Sequence, residues 1–287
     1  MTCLITGARG MLGRDVAAAL RAAGHDVVPL GRDVLDISCP SSVRSALAAV
    51  RPRTVVNCAA YTAVDAAEHD EPTAYRVNAD GPRHLAEACA DSGTRLVHIS
   101  TDYVFAGDAA KGAYDESAPT RPRTVYGRTK LAGERAVLET LPETGTVLRT
   151  AWLYGAHGPN FVATMARCAA GEGTVDVVAD QYGQPTWTVD VAARVARLPP
   201  VPGVLHATCA GETTWYGLAR EVFALLGADP GRVRPVTTRD MPRPAPRPAR
   251  SVLGHARWDA VGLPPPRHWR EALHAAWPAL GLPGRTV

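Results

Sequence analysis

The chain has 287 residues, of which 46% are hydrophobic and 21% charged, and its 31 basic and 28 acidic residues leave a formal net charge of +3. These values are ordinary for a globular protein with a sizeable core, and so small a charge gives no reason to expect nucleic acid or an anionic membrane as a partner. The amino terminus turns glycine-rich at once, and no apolar run reaches membrane-spanning length. We therefore expect neither a signal peptide nor a membrane helix.

Cysteine usage points to a compartment. Six cysteines are scattered along the chain without a CxxC pair, mostly in apolar or alanine-rich surroundings. A thiol in such surroundings behaves as a small hydrophobic group. This pattern suits the reducing cytoplasm and favours a cytoplasmic protein.

The first half of the chain alternates short apolar runs with alanine-rich segments of helical character. Strands are predicted at 3–6, 27–30, 54–58, 96–100 and 146–148, and helices at 12–23, 42–50, 84–91 and 129–141. Such alternation predicts stacked β–α–β units, and hence an α/β protein with a parallel, doubly wound sheet.

The first predicted strand runs directly into the glycine-rich segment Gly7-Ala8-Arg9-Gly10-Met11-Leu12-Gly13, which opens the first predicted helix. Glycine lets the backbone turn tightly and approach a pyrophosphate, whose charge meets the free N–H groups of the helix. An ordinary turn is the alternative. The position at the first strand-to-helix junction favours dinucleotide binding by Gly7, Arg9, Gly10, Met11, Leu12 and Gly13.

After Trp152 the alternation of apolar runs with helical segments becomes irregular. We predict a Rossmann-type dinucleotide-binding domain at 1–152, with later segments returning to it near 187–210. The remainder, 153–287, is predicted to form mainly a smaller substrate-binding lobe. Within it, residues 232–250 carry six arginines among many prolines. Proline opposes regular helix and central strand, so this segment is predicted to be an ordered loop or a mobile flap over a cleft.

The second strand ends at Leu30-Gly31-Arg32, where many NAD-binding proteins carry an acidic residue for the adenosine ribose. A guanidinium at this position could hold a 2′-phosphate, which favours NADPH, with NADH as the alternative cofactor. Asp33 and Asp36 lie close enough to leave the choice open, and a solvated Arg32 is the competing interpretation.

Tyr126 and Lys130 lie four residues apart at a predicted helix start, on one face of the helix. A phenol has an ordinary pKa of about 10, and a neighbouring ammonium is expected to lower it. The pair could also arise by chance. The strand before it leads to the hydroxyls of Ser100 and Thr101 at the carboxyl edge of the sheet, where α/β proteins bind ligands, although either hydroxyl could serve only as a cap.

The GxxGxxG spacing of the glycine segment is typical of the extended short-chain dehydrogenase/reductase superfamily. The match is closer in segments 57–68, 98–105, 126–134, 149–155 and 180–186, which together resemble the dTDP-4-dehydrorhamnose reductase family. These segments are spread over nearly the full chain.

The resemblance implies a role for each matching residue. Thr101, Tyr126 and Lys130 would form a catalytic triad. The implied cofactor contacts are Asp36 and Ile37 at the adenine ring, Ala59, Ala60 and Tyr61 in the loop after the third strand, and Asn78 behind the nicotinamide ribose. The implied substrate contacts are Thr101, Asp102, Tyr103, Trp152 and Arg247. Trp152 could instead be a packing or interface residue, and the other arginines of the proline-rich segment could be solvated.

The implied reaction is reduction of the C4 ketone of a dTDP-linked 4-keto-6-deoxyhexose. Thr101 would orient the ketone, Tyr126 would donate the proton, and Lys130 would hold the cofactor ribose. A related 4-ketoreductase of secondary metabolism with different stereochemistry, a nucleotide-sugar epimerase and a non-catalytic regulatory subunit on the same fold remain alternatives. The intact triad argues against the last.

Some members of the family form dimers bridged by a divalent metal. Asp15 matches one of their acidic ligands, but Val189 falls where the second is expected. Hard cations require oxygen ligands. We therefore expect no metal site and either a monomer or a metal-independent homodimer.

Overall fold

A computed structural model describes residues 1–109 and 112–282 of the chain, apart from the side chain of Asp259. The strands are β1 (Thr2–Thr6), β2 (Asp26–Pro29), β3 (Thr54–Asn57), β4 (Arg95–Thr101), β5 (Gly145–Thr150), β6 (Leu153–Tyr154), β7 (Val175–Val178), β8 (Tyr182–Gly183), β9 (Thr186–Trp187), β10 (Gly203–His206), β11 (Thr213–Thr214) and β12 (Val233–Val236). The helices are α1 (Met11–Ala22), α2 (Pro40–Val50), α3 (Val64–Ala67), α4 (Glu71–Tyr75), α5 (Gly81–Ser92), α6 (Val125–Thr140), α7 (Phe161–Ala170), α8 (Thr188–Arg197), α9 (Trp215–Leu225), α10 (Ala256–Ala260) and α11 (Trp269–Ala276).

The central sheet is parallel, in the order β2-β1-β3-β4-β5-β10. Neighbouring residues of a strand face opposite sides of the sheet. Thus Ile5 packs on the side of α1 and α8, whereas Leu4 packs on the side of α2 and α5. Both faces are therefore covered, and the predicted doubly wound α/β fold is confirmed.

The order of the strands reverses around β1. The chain goes from β1 to β2 on one side and then returns to place β3 on the other. The loops that follow β1 and β3 consequently diverge, and the crevice between them lies at the carboxyl edge of the sheet. Ligands of open α/β sheets bind at such a switch point.

Most of the second half of the chain builds a separate apolar core. Met165 of α7, Phe223 of α9 and Leu273 of α11 are buried together in it. Helix α8 and strand β10 instead return to the sheet, where Val191 and Leu205 share a core with Val16 of α1. No helix within the described part of the chain combines the length and hydropathy needed to cross a bilayer.

The arginine- and proline-rich segment contains one short strand, which the prediction of an ordered loop or mobile flap did not include. Strand β12 pairs with β7 alone and includes Pro235. An edge position tolerates the missing N–H of proline. Arg232 also differs from a solvated side chain, because its guanidinium donates to carbonyl oxygens just beyond α7 and in its last turn, including those of Gly171 and Gly173.

A buried ion pair links α6 to the sheet. The Arg149 guanidinium of β5 donates to both carboxylate oxygens of Glu134, at 2.9 and 2.7 Å. The two side chains are only 5% and 2% exposed. Helix α6 also carries Tyr126 and Lys130, so the pair fixes that helix against the sheet in a water-excluded position.

We predict that Glu134→Ala lowers the free energy of unfolding by about 3–5 kcal/mol, because it leaves the Arg149 charge buried without a partner. Urea denaturation measures this loss. Glu87→Ala is the matched control, since Glu87 forms an i,i+4 pair with Arg83 in which both side chains are about half exposed. That change should cost no more than about 0.5 kcal/mol. Equal losses in the two variants would contradict the prediction.

Candidate active site

A single cavity of about 1730 Å³ opens at the carboxyl edge of the sheet and extends between the two halves of the chain. A site for one small ligand usually measures about 300–1,000 Å³, so the space suits two ligands side by side. Of the predicted site residues, the cavity is lined by Gly7, Arg9, Gly10, Met11, Leu12, Gly13, Arg32, Asp36, Ile37, Ala59, Ala60, Tyr61, Thr101, Asp102, Tyr103, Tyr126, Lys130, Trp152 and Arg247.

The glycine segment forms a narrow cradle at one end of this cavity. Gly7 has a φ of +62°, and a Cβ at this position would lie 2.6 Å from the backbone nitrogen of Ala59. A Cβ on Gly13 would collide with the Gly7 carbonyl. Helix α1 begins at Met11, and no side chain caps its amino end. The cradle therefore offers uncapped N–H groups and close backbone approach, which fits the pyrophosphate of a dinucleotide.

Two guanidiniums stand beside Gly31, just after β2. Arg9 pairs with Asp33 at 2.8 Å, and Arg32 lies 3.5 Å from the carboxylate of Asp36. Both arginine side chains remain more than two thirds exposed, at 71% and 77%. Burial opposes ionisation of Asp36, but hydrogen bonds from Ser38, together with the nearby Arg32, lower the pKa of its carboxyl group. Two exposed positive charges therefore line the cavity just after β2.

Asn78 is not among the described residues that line the cavity; it lies behind them. It sits in a π-helical turn between α4 and α5 and is 1% exposed. Its amide accepts from the backbone N–H of Tyr61 at 2.8 Å and donates to the Tyr61 carbonyl at 3.0 Å. Asn78 therefore fixes the position of Tyr61 in the cavity loop, and its contact with the cofactor stays a prediction.

Tyr126 enters the cavity from the first turn of α6, which the Thr124 hydroxyl caps by accepting the N–H of Gly127 at 2.9 Å. Burial raises the pKa of Tyr126 to about 12, and a hydrogen bond with Thr101 opposes this only in part. The expected depression of the phenol pKa by Lys130 is therefore not seen in the protein alone. No hydrogen bond joins Lys130 to Tyr126 among the described residues; the Lys130 Nζ donates to the Ile99 carbonyl at 2.7 Å instead.

Thr101 belongs to a buried polar group at the end of β4. Its hydroxyl donates to a carboxylate oxygen of Asp102 at 3.0 Å and accepts the N–H of Tyr103 at 3.2 Å. The other Asp102 oxygen accepts the hydroxyl of Ser251, which directly follows the proline-rich segment. Burial raises the pKa of Asp102 to about 6, although these hydrogen bonds oppose the rise. The sequence analysis did not anticipate Ser251 as the partner.

Trp152 both packs and lines the cavity. Its ring stacks on Trp215 with centroids 3.5 Å apart and an interplanar angle of 6°. Its φ of +48° is rare for a bulky residue, so the surrounding structure must hold it in place. Trp215 itself lies next to Phe161 and was not singled out in the sequence, because nothing in a pattern reveals a partner 63 positions away in the chain.

Arg247 lines the cavity, but its fork is already engaged. Its two terminal nitrogens donate to the two oxygens of Asp65 at 2.8 and 2.7 Å. This contact lowers the pKa of Asp65. Arg243, a residue that the sequence analysis passed over, lines the same part of the cavity. Both arginines therefore bring positive charge to the cavity wall, although Asp65 offsets the charge of Arg247.

Two hydroxyls in the cavity wall have no protein partner. Ser100 Oγ and Thr150 Oγ1 are buried without a hydrogen bond, and both residues line the cavity. A buried polar group that lacks a partner is costly, and such groups are rare in native proteins. The two hydroxyls are therefore positioned to be satisfied by a ligand.

The residues considered for a bridging metal do not form a ligand set. Val189 is 38% exposed, and the adjacent Asp190 is paired with Arg267. Asp15 lies 3.9 Å from the imidazole of His157. Within residues 1–109 and 112–282, no group of three or more His, Cys, Asp or Glu side chains could hold a metal.

The raised pKa of Asp102 predicts a pH-dependent stability. Between the unfolded value of 3.8 and the folded value of about 6, the folded protein binds the extra proton, so stability falls as pH rises through this window. Relative to Asp102→Asn, the wild-type free energy of unfolding should fall by about 2 kcal/mol from pH 4 to pH 7.

Denaturant titrations at several pH values measure this difference. The control is Asp115→Asn, because a hydrogen bond from Ser117 lowers the pKa of exposed Asp115 and gives the opposite sign, with stability lost as pH falls. A flat difference between wild type and Asp102→Asn would refute the assignment.

Comparison with known proteins adds independent findings. A family model described as the RmlD substrate binding domain matches residues 1–280. A probable dTDP-4,6-dihydroxy-2-methyloxan-3-one 4-ketoreductase of Streptomyces antibioticus is 60% identical, covering 96% of this chain and 94% of the relative. A dTDP-4-dehydrorhamnose reductase of Streptomyces griseus is 57% identical, with coverage of 94% and 91%.

A solved structure agrees with these relatives. The dTDP-4-dehydrorhamnose reductase of Bacillus anthracis, in complex with NADP, superposes with a TM-score of 0.92 at 36% identity, covering 96% of this chain and 98% of that one. The family model matches nearly the whole chain, and the glycine cradle opens into the same cavity as the side chains of Thr101, Tyr126 and Lys130. The chain therefore belongs to the dTDP-4-dehydrorhamnose reductase family.

Proposed function

We propose that this protein reduces the C4 ketone of a dTDP-linked 4-keto-6-deoxyhexose with NADPH. One observation carries the proposal: the glycine cradle and the side chains of Thr101, Tyr126 and Lys130 line the same cavity. The names of relatives at 60% and 57% identity, a 4-ketoreductase and a 4-dehydrorhamnose reductase, support the same substrate class.

The described residues divide the work of such a reduction. A bound nicotinamide cofactor supplies the hydride to the carbonyl carbon. Tyr126 is well suited to donate the proton, because its raised pKa keeps the phenol protonated at neutral pH and a developing alkoxide is a far stronger base than a phenolate. Thr101 lies beside the phenol. Its hydroxyl would orient the ketone by donating to the ketone oxygen in place of Asp102.

The cavity supports a division between cofactor and sugar nucleotide. Gly7 and Gly13 would hold the pyrophosphate against the amino end of α1, and Ile37 would meet the adenine. Lys130 would hold the nicotinamide ribose. At the other end, Trp152 would contact the deoxysugar, and Arg243 with Arg247 would meet the sugar-nucleotide diphosphate.

The stereochemistry at C4 depends on which face of the sugar meets the hydride, and relatives of nearly equal identity carry different sugar names. Incubation with dTDP-4-keto-6-deoxyhexoses and NADPH, followed by identification of the product sugar, distinguishes the candidates. A ketoreductase oxidises one NADPH for each sugar reduced. An epimerase would form product without net oxidation of cofactor, and a regulatory subunit would form none.

Two further properties accompany the proposal. All six cysteines are free, which supports a reducing, cytoplasmic environment. The pairing of Asp190 with Arg267 supports an assembly, monomeric or dimeric, that needs no bridging metal.

We predict that Tyr126→Phe lowers turnover by about 10²- to 10⁴-fold, the usual effect of losing a general acid, while cofactor binding hardly changes. Lys130→Met should weaken both, because Lys130 also serves the ribose. The double variant should be little worse than the poorer single variant, since the two residues act as one unit. Steady-state kinetics and fluorescence titration with NADPH measure these effects. Near-normal turnover of Tyr126→Phe would contradict the assignment.

We predict that Arg32→Ala raises the KM for NADPH at least about tenfold more than the KM for NADH, because only NADPH carries the 2′-phosphate. Arg9→Ala tests whether the neighbouring guanidinium shares the role. Arg83→Ala is the control, as Arg83 is an exposed arginine of α5 that pairs with Asp80 and Glu87. Equal changes for both cofactors would show that Arg32 does not read the phosphate.

A further inference from the structure

A row of buried polar side chains crosses three neighbouring strands beneath Lys130. Thr6 of β1 is in register with Asn57 of β3, and Asn57 is in register with His98 of β4. All three side chains are 0% exposed. His98 Nε2 lies 3.3 Å from Lys130 Nζ. This row belongs to neither ligand end of the cavity, yet it ends at the lysine of the triad.

The hydrogen bonds within the row fix the orientation of Asn57. The backbone N–H of Ala59 donates to Asn57 Oδ1 at 3.1 Å, and the Thr6 hydroxyl donates to the same oxygen at 2.6 Å. A backbone N–H can only donate, so the atom facing it must be the oxygen. The amide NH₂ group of Asn57 consequently points at His98 Nδ1, which lies 2.9 Å away.

The orientation of Asn57 in turn decides the tautomer of His98. Because the amide nitrogen can only donate, Nδ1 of His98 must accept, and the ring carries its proton on Nε2. Burial also holds the pKa of His98 well below its ordinary value, so the ring is neutral. The Nε2–H group therefore faces Lys130 Nζ as a donor.

A lysine ammonium has three donors and no acceptor, whereas a neutral amine has a lone pair. We propose that His98 is a positioning residue that holds Lys130 as a neutral amine in the cofactor-free protein, by donating its Nε2–H to the lysine nitrogen. The amine completes its bonding by donating to the Ile99 carbonyl at 2.7 Å.

The surroundings of Lys130 agree with this assignment. Lys130 is 2% exposed, and burial lowers its pKa to about 8 against the opposing attraction of Glu134, a value at which the ammonium still predominates at pH 7. The hydrogen bond from His98 stabilises the amine further, and this bond is what makes the neutral form the main one. The Glu134 carboxylate is already paired with Arg149 of β5, and burial raises the pKa of the Cys58 thiol to about 12, which keeps it uncharged. Tyr126, one turn earlier on α6, is also protonated.

The charge state of Lys130 is a property of the cofactor-free protein, and only its consequence for catalysis rests on the proposed function. If His98 keeps the lysine neutral, the resting site contains no fixed cation beside the phenol. The positive charge that would favour a phenolate then arises only when Lys130 takes up a proton from solvent, which an anionic dinucleotide in the cradle would promote.

The chain is well suited to a direct test, because Lys111 and Lys130 are its only lysines. In a Lys111→Arg background, protein labelled with ¹³C at lysine Cε gives one lysine resonance, whose shift with pH reports the protonation of Lys130. We expect a titration midpoint below about 7, which is more than about three units under the ordinary lysine value of about 10.4, because only then is the amine the main form at neutral pH. We also expect the ¹⁵N shifts of His98 to show the proton on Nε2. No substrate or cofactor enters these measurements, so their failure is distinguishable from failure of the proposed reaction.

Two variants test the mechanism of the effect. His98→Gln should raise the midpoint by about one unit or more, because the amide oxygen can turn to accept from an ammonium. Asn57→Asp should do the same by a different route, because a carboxylate forces the His98 proton onto Nδ1 and leaves Nε2 to accept. His206→Gln is the matched control, since His206 is a buried histidine of β10 whose Nδ1 contacts the Gly254 carbonyl.

The outcomes decide between the alternatives. A raised midpoint in both test variants, with no change in His206→Gln, supports the proposal. A wild-type midpoint above about 7, a His98 proton on Nδ1, or an unchanged midpoint in His98→Gln would each overturn it. The wild-type measurements decide the matter even if a buried substitution prevents folding.

Discussion

Each polar group buried at the carboxyl edge of the sheet must find a partner, and the active site is built on that constraint. Thr6, Asn57 and His98 satisfy one another across three strands, and His98 reaches Lys130. The same rule sets the loop above them, because Asn57 also accepts the N–H of Ala59. A hydrogen-bonded network in a low-dielectric interior specifies one arrangement of its members. The geometry of the cavity floor therefore follows from the bonding needs of side chains that lie outside the cavity lining.

Long-range contacts complete the site from the opposite side. Ser251 donates to Asp102, and Arg247 pairs with Asp65 on α3. These contacts attach the proline-rich segment to the end of β4 and to the region after β3. Proline restricts the backbone of that segment, so a few specific contacts suffice to hold it along the cavity. The second lobe is thus joined to the catalytic residues by charge and hydrogen bonding as well as by its apolar core.

Burial has opposite consequences for the two titrating members of the triad. It raises the pKa of Tyr126 to about 12 and lowers that of Lys130 to about 8. Desolvation disfavours the charged form of each group, so both tend toward neutrality before ligands bind. A protonated phenol is the form that a ketone reduction requires. The simple picture of an ammonium that acidifies its neighbour does not describe the protein alone, because burial of Tyr126 outweighs the hydrogen bond with Thr101, the one interaction that favours its phenolate.

The amino-acid sequence by itself determined the α/β class, the glycine cradle and the helix that carries Tyr126 and Lys130. These features depend on local spacing: the alternation of apolar runs, the glycines at a strand-to-helix junction, and two residues four apart on one helical face. Only the tertiary structure decided the partners of those residues. The stacking of Trp152 on Trp215, the bond from Ser251 to Asp102, and the supporting position of Asn78 join residues far apart in the chain. The strand at Val233–Val236 likewise needed β7 beside it, because pairing at an edge made room for Pro235. Pattern alone contains no information about such contacts, since each depends on how separate elements pack together.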